Sequence, residues 1–285
     1  MVRVTTSAHP PQPPSEEPGA GPAPDRRTAL RSGVALAAGT LTAGCSAAGA
    51  VAPHPVAHTA PPATRNAPPA TATTTAPAPA PRRFPNQPAE IDHGPRTRPQ
   101  VALTFHGQGD PAIAKAVLGE AEQGGAHVTV LAVGTWLDEH PDVARRILDG
   151  GHDLGNHTLR HLDINAMSEA DADAEIRGCA ERLRRLTGSI GTWFRPSRTP
   201  RASPLVERLA RNAGYPHTLS YDVDSLDYTS PGAPAITRNI TGGIRNGSVV
   251  SLHFGYADTV AALPAVLEEL HRRGLRAVTT TELLS

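Results

Sequence analysis

An α/β fold built on a parallel sheet is predicted by three observations. From Pro99 onward, short apolar runs alternate with helical patterns. About seven such runs occur, each separated from the next by helix or loop. Polar, chemically versatile residues follow directly after five of them, as expected where parallel strands deliver their C-terminal ends to one face.

The elements follow in order. Val101 to Phe105 is a short apolar run that reads as a buried strand. Asp110-Pro111 opens a helix through Gln123, with Asp as cap and Pro in the first turn. Val128 to Val133 is the next strand, and Asp142 to Asp149 a helix closed by Gly150-Gly151. A short strand near Asp153-Leu154 leads to His157 and His161, whose spacing of four places both imidazoles on one side of a helical turn. Ser168-Glu169-Ala170-Asp171 resembles a capping box heading a helix to Leu186, stopped by Gly188. Cys179 shares a stripe of that helix with Ile176, Leu183 and Leu186 and reads as a buried small hydrophobe. Trp193-Phe194-Arg195 is brief and strand-like, and Pro204 to Ala213 is helical. Thr218 to Val223 and Ser248 to Phe254 are strands, the latter followed by a helix marked by Val260, Leu263, Leu267 and Leu270. A last strand covers Arg276 to Thr279. This pattern suits a compact barrel or an open doubly wound sheet, and the absence of Gly-x-Gly-x-x-Gly after a strand disfavours a dinucleotide site.

The region before this domain has another character. Of the 29 prolines, 20 precede Gln100, and residues 1–98 carry few large apolar side chains. Such composition predicts disorder, because too little surface can be buried to offset ordering entropy. Residues 1–45 read as an export address. Arg26-Arg27 is a twin-arginine pair, Ser32 to Ala43 a short apolar core, and Leu41-Thr42-Ala43-Gly44-Cys45 resembles a lipoprotein cleavage box. Processing there would leave Cys45 lipidated. Residues 46–98 would be a Pro/Ala/Thr-rich tether, and residues 99–285 the catalytic domain. The expected localisation is therefore exported, at a bacterial cell surface or outside it. With 27 basic and 27 acidic side chains the formal net charge is zero, and no basic stripe points to nucleic acid. A monomer is expected.

The strand-end residues are His106-Gly107-Gln108-Gly109-Asp110, then His157 and His161, then Arg195-Pro196-Ser197-Arg198, then Asp222 to Tyr228, then His253-Phe254-Gly255. Two neutral imidazoles at such spacing can close on one metal ion. Leu103-Thr104-Phe105, His157-Thr158-x-x-His161, Phe194-Arg195-Pro196, Asp224-Ser225-Leu226-Asp227-Tyr228 and Ser251-Leu252-His253 together resemble the polysaccharide deacetylase (NodB-homology) family over roughly Arg98 to Ser285. The resemblance implies a distorted (β/α)7-type barrel and a divalent metal, often zinc. It also implies hydrolysis of acetyl groups on sugars of a cell-wall or related polysaccharide. It carries the proton-donating role to His253, and to Asp224 the task of holding the His253 ring. It places Arg195 beside the catalytic base.

The sequence departs from that family at one place. The family continues Thr-Phe-Asp-Asp-Gly, giving a base and a third metal ligand, where this chain has His106-Gly107-Gln108. Three repairs suggest themselves. In the first, the one preferred, His106 joins His157 and His161 in a three-histidine site, the chain turning at once after Phe105 with help from Gly107 and Gly109, and His253 serves as both base and acid. In the second, His106 is the base, kept neutral by Arg195. In the third, Asp110 replaces the missing ligand, although Asp before Pro is ordinarily a helix cap. Arg195, deprived of its family partner, could turn to Asp110, Asp227 or substrate, and Trp193, Tyr228, Phe254 and Tyr256 could face sugar rings. The competing reading is a catalytically silent glycan-binding domain that kept the barrel and lost turnover.

Overall fold

The structure, a computed structural model, describes residues 78–285. The expected signal segment, Cys45 and residues 46–77 of the expected tether lie outside the described residues. In chain order the elements are β1 (Glu90–Ile91), β2 (Gln100–Gly107), α1 (Pro111–Gln123), β3 (Thr129–Ala132), α2 (Gly134–Glu139), α3 (Pro141–Asp149), β4 (Asp153–Asn156), α4 (Glu169–Thr187) and α5 (Pro204–Asn212). They continue with β5 (Thr218–Leu219), β6 (Val223–Asp224), α6 (Ala233–Gly243), β7 (Val249–His253), α7 (Ala257–Arg272), β8 (Arg276–Ala277) and α8 (Thr280–Leu284). Among the described residues, no helix is long and apolar enough to cross a membrane.

The strands run parallel in the order β4-β3-β2-β7-β6, with β8 beside the start of β2 and β1 paired to β5. Single bridges from Asn156 to Phe194 and from Phe194 to Thr218 carry the sheet past β4 to β5, and an antiparallel bridge joins His93 to Ser248. The strands thus curl into a distorted α/β barrel, with the single residue Phe194 bridging to both sides where a short strand Trp193-Phe194-Arg195 was expected. The expected strand Thr218 to Val223 is broken into β5 and β6, with Ser220, Tyr221 and Asp222 between the two.

Period-2 alternation sorts β2 into two faces. Val101, Leu103 and Phe105 point outward into the main core with Val117, Leu118 and Val266 from the flanking helices. Ala102 points into the barrel, where Leu131, Leu219, Val249 and Trp193 form a second core. Phe84, Val278, Leu283 and Leu284 belong to this second core. Thr104 shares that inward face and donates to the Val250 carbonyl, and His106, two residues on, shares it too. The inward face of the same strand therefore changes from apolar to polar as it rises.

The N-terminal boundary of the folded domain is corrected. Residues 78–98, expected to belong to the tether, are built into the barrel: Ile91 is fully buried in β1, and Phe84 stacks on Trp193 at 5.5 Å. Phe84 N also donates to His217 Nε2. Proline-rich composition concealed these two anchors.

Helix caps follow the sequence closely. The Asp110 carboxylate accepts from Ala112 N, Ser168 Oγ accepts from Asp171 N, and Gly188 ends α4 with φ 79°. Cys179 is buried on α4, and burial pushes its thiol up to about 12, which makes it an inert core residue.

Candidate active site

His106 reaches the histidine pair without the turn expected after Phe105. β2 continues through Gly107, and because Phe105 faces the helices, His106 already faces the interior. Its Nδ1 lies 2.8 Å from His157 Nε2. His157 and His161 also differ from expectation: they sit on a loop after β4, not on a helical turn. Thr158 and His161 have φ of 67° and 57°, left-handed values that no helix permits. The loop is held by Asn156, whose Oδ1 accepts from Thr158 N and whose Nδ2 donates to Ile176 O. Buried Glu175 fixes its far side by accepting from Arg160 N and Nε. Thr158 Oγ1 donates to Ser197 Oγ and accepts from His161 N. Asn156 and Glu175 went unrecognised at the level of sequence, where nothing but their closeness to motif residues marks them, and Ser197 was named only as part of a strand-end group.

One ring nitrogen from each of His106, His157 and His161 lies within 4.8 Å of the other two, the one group of this kind among the described residues. His106 and His157 are held well below the ordinary histidine value, by burial first and then by neighbouring histidines and the Arg195 guanidinium. They are therefore neutral at physiological pH and offer lone pairs. Three imidazoles with no carboxylate fit a borderline-soft divalent ion such as zinc. The third repair fails on geometry, since the Asp110 carboxylate caps α1.

Arg195 is fully buried. Its Nε donates to Leu219 O, its Nη2 to Ser220 O, and its Nη1 faces His106 Nε2 at 3.3 Å. It meets neither Asp110 nor Asp227 through these groups, and a fully buried guanidinium is out of substrate's reach. In place of the expected catalytic contact it lies against His106, whose ring is kept neutral chiefly by burial and only in smaller part by this guanidinium. Burial lowers Arg195 itself to about 10, so it remains a cation.

His253 rises from the end of β7, and its ring stacks on His106 with centroids 4.2 Å apart. The carboxylate that holds it is Asp227, in place of the expected Asp224. Asp227 Oδ1 lies 2.7 Å from His253 Nδ1, while Oδ2 accepts from His253 N and Thr259 Oγ1. Asp227 is fully buried. Asp224 instead turns its Oδ1 to Leu226 N, and burial raises its carboxyl above the usual range. The swap arises because Leu226 takes a left-handed conformation, φ 55°, and this tight turn swings Asp227 inward.

With Nδ1 occupied by Asp227, His253 keeps a bare Nε2 that can accept a proton, and the carboxylate stabilises the resulting imidazolium. Tyr228 and Tyr256 lie against His253, with ring centroids 5.5 and 6.0 Å away. Trp193 and Phe254 are core residues, stacked on Phe84 and packed on Phe105 respectively. Leu162 and Leu226, the exposed large apolar residues among those described, belong to the two loops that carry His161 and Asp227.

A family model described as polysaccharide deacetylase matches residues 93–217. A peptidoglycan-N-acetylglucosamine deacetylase of Bacillus cereus is 31% identical over 194 residues, covering 67% of this chain and 90% of its own length. Among solved structures, the Bc1960 peptidoglycan N-acetylglucosamine deacetylase superposes with a TM-score of 0.64 at 26% identity, over 68% of this chain and 92% of that one. A family 4 carbohydrate esterase pseudoenzyme from Bacillus anthracis shares the fold, with a TM-score of 0.66 at 22% identity over 70% of each chain.

Proposed function

The chain belongs to the polysaccharide deacetylase family, and we propose that it is a metal-dependent hydrolase that removes acetyl groups from sugars of a cell-wall polysaccharide. The observation that carries this reading is the meeting of two devices in one place: the cluster of His106, His157 and His161, and the His253–Asp227 pair stacked against it.

His106, His157 and His161 would hold a divalent metal, zinc by their donor chemistry, which when bound polarises an acetyl carbonyl and acidifies the attacking water. His253 supplies the proton traffic. Its bare Nε2 takes a proton from the attacking water as the new carbon–oxygen bond forms. The same nitrogen then returns a proton to the leaving nitrogen or oxygen of the sugar as the acyl bond breaks. Asp227 keeps the ring in the tautomer that makes this possible and stabilises its charged form between the two transfers. Burial first, then His253 and His157, and in smaller part Arg195, keep His106 from taking up a proton that would remove it from the cluster. One histidine thus does the work that the family divides between an aspartate and a histidine.

The absence of a carboxylate at 106 and 107 favours a second reading, a glycan-binding domain without turnover. The retained Asp227–His253 pair speaks against it, because binding alone gives no reason to bury a carboxylate under three hydrogen bonds to one catalytic-type ring and its neighbours. The twin-arginine pair, the apolar run and Cys45 support export and lipid anchoring at the cell surface, with Pro-rich chain as a spacer and a monomeric domain at its end.

The experiment is acetate release from acetylated peptidoglycan and chitooligosaccharides by the purified protein, with and without a chelator. Acetate production that stops on chelation and returns with zinc supports the hydrolase. Glycan binding with no acetate under any metal supports the silent domain.

A further inference from the structure

A lone exposed leucine needs no explanation, because much of any protein surface is apolar. Two leucines here are placed with more order than that. Leu162 and Leu226 are the exposed large apolar residues among those described, at 39% and 40%. Leu162 follows His161 of the histidine cluster, and Leu226 precedes Asp227, which holds His253. The strands before these two loops, β4 and β6, stand at the two ends of the row β4-β3-β2-β7-β6, with His106 on the central strand. The leucines therefore leave opposite ends of the row that carries the site.

Leu226 is also held in a strained conformation. Its φ of 55° and ψ of 24° are left-handed, a region that penalises a Cβ and that glycine or asparagine adopts more readily. Among the described residues, the non-glycine residues at positive φ are Thr158, His161, Arg198, Leu226 and Ser230, and all lie in loops following β4, the Phe194 bridge or β6. Strain of this kind gathers where side chains meet a ligand. Both leucines stand on fixed backbone. Leu226 N donates to Asp224 Oδ1 and its carbonyl accepts from Thr229 N and Oγ1, while the Leu162 carbonyl accepts from Ser197 Oγ. Groups held still beforehand lose little freedom when a ligand covers them.

We propose that Leu162 and Leu226 contact the apolar faces of two different sugar rings of one glycan chain, and so set a preference for oligosaccharide over monosaccharide. The inference rests on the reading of this end of the barrel as the glycan site, and it adds the residues that sense chain length. Neighbouring strands lie ~4.8 Å apart, and β4 and β6 stand four spacings from each other along the row. One pyranose ring is about as wide as a single spacing and meets one leucine at a time. Contact with both takes a chain of sugars. The faces of such rings carry C–H groups, which leave water for a leucine surface as other hydrocarbon does.

The test is NMR-monitored titration of wild type, Leu226→Asn and Leu162→Gln with N-acetylglucosamine and with its linear tetramer, alongside their melting temperatures. Wild type is expected to bind the tetramer more tightly than the monosaccharide. Each variant should lose about 3–8-fold in tetramer affinity, the worth of covering the two-fifths of a leucine now in water. Monosaccharide affinity should fall less. Asparagine suits position 226 because it tolerates the left-handed turn that carries Asp227. A purely structural role would weaken both sugars together and lower the melting temperature. Equal losses for the two sugars, undiminished tetramer affinity in either variant, or a wild type without preference for the tetramer overturns the inference. Acetate release is scored separately: the expected binding pattern without acetate sinks the hydrolase reading and leaves this one standing. A wild type that binds neither sugar overturns it together with the glycan-site reading.

Discussion

Asp227 grips His253 at two points: its Oδ1 lies 2.7 Å from the ring Nδ1 and its Oδ2 accepts from the His253 backbone N–H. The carboxylate therefore sets both the orientation of the ring and the nitrogen that carries the proton. Asp227→Asn leaves the shape and removes the charge, and by analogy with other carboxylate–histidine pairs kcat should fall about 10³-fold or more. Asp224→Asn, acting on a carboxylate bonded to Leu226 N, should fall far less. Steady-state kinetics on both variants with one acetylated oligosaccharide decides the assignment, and a larger loss at Asp224 would reverse it.

Phe84 ties the chain before β1 to the barrel interior through Trp193. Removing its ring should destabilise the domain by about 3 kcal/mol, as for other buried aromatic truncations. Phe84→Ala should lower the urea midpoint accordingly, and a protein beginning at residue 99 should fail to fold where one beginning at residue 78 folds. Equal midpoints for wild type and Phe84→Ala would return Phe84 to the tether.

Much of this barrel was legible in the sequence because its period-2 and helical patterns are local. The inward address of His106 follows from that of Thr104 two residues earlier, and no turn after Phe105 is needed. The conformations of the site loops were not legible. Thr158, His161 and Leu226 are non-glycine residues at positive φ. Only surrounding tertiary contacts force such values. That is why a helical turn was expected at His157 to His161, and why Asp224, nearer the strand, looked like the partner of His253. The break between β5 and β6 was hidden for a related reason: the carbonyls of Leu219 and Ser220 serve the distant Arg195. Phe84 was hidden by its neighbours, a single anchor in a proline-rich window.

Acid should destabilise the metal-free domain. His106 and His157 titrate below the ordinary 6.5 when folded, chiefly through burial. Between that lowered value and 6.5 the unfolded chain holds more protons than the folded one. Stability is therefore full above this window and is lost as pH falls, by up to about 1.4 kcal/mol per pH unit for each histidine. Urea midpoints of chelator-treated protein at pH 7.5 and 5.5 should differ in that direction, and less so in a His106→Gln, His157→Gln variant. Identical pH dependence in the two proteins would show that these rings are not the source.

Gly107 stands where the family carries a metal-binding aspartate, yet a Cβ there would lie 2.9 Å from Val130 Cγ1 and 3.0 Å from Ala132 Cα. One of these neighbours is backbone, so β2 and β3 must part to admit a side chain. Gly107→Ala and Gly107→Asp should each lose about 1–3 kcal/mol. Thermal denaturation of both checks this, and an undiminished melting temperature for either would mean that the strands part freely.

A three-histidine metal centre completed by His106 requires that metal occupancy depend on this side chain. Its most direct measurement is the zinc content of the purified domain, by elemental analysis, in wild type and His106→Ala. One zinc per wild-type chain and loss of that zinc in the variant is the expected result. Wild-type zinc retained in His106→Ala, with only acetate release abolished, would contradict it and make His106 the base.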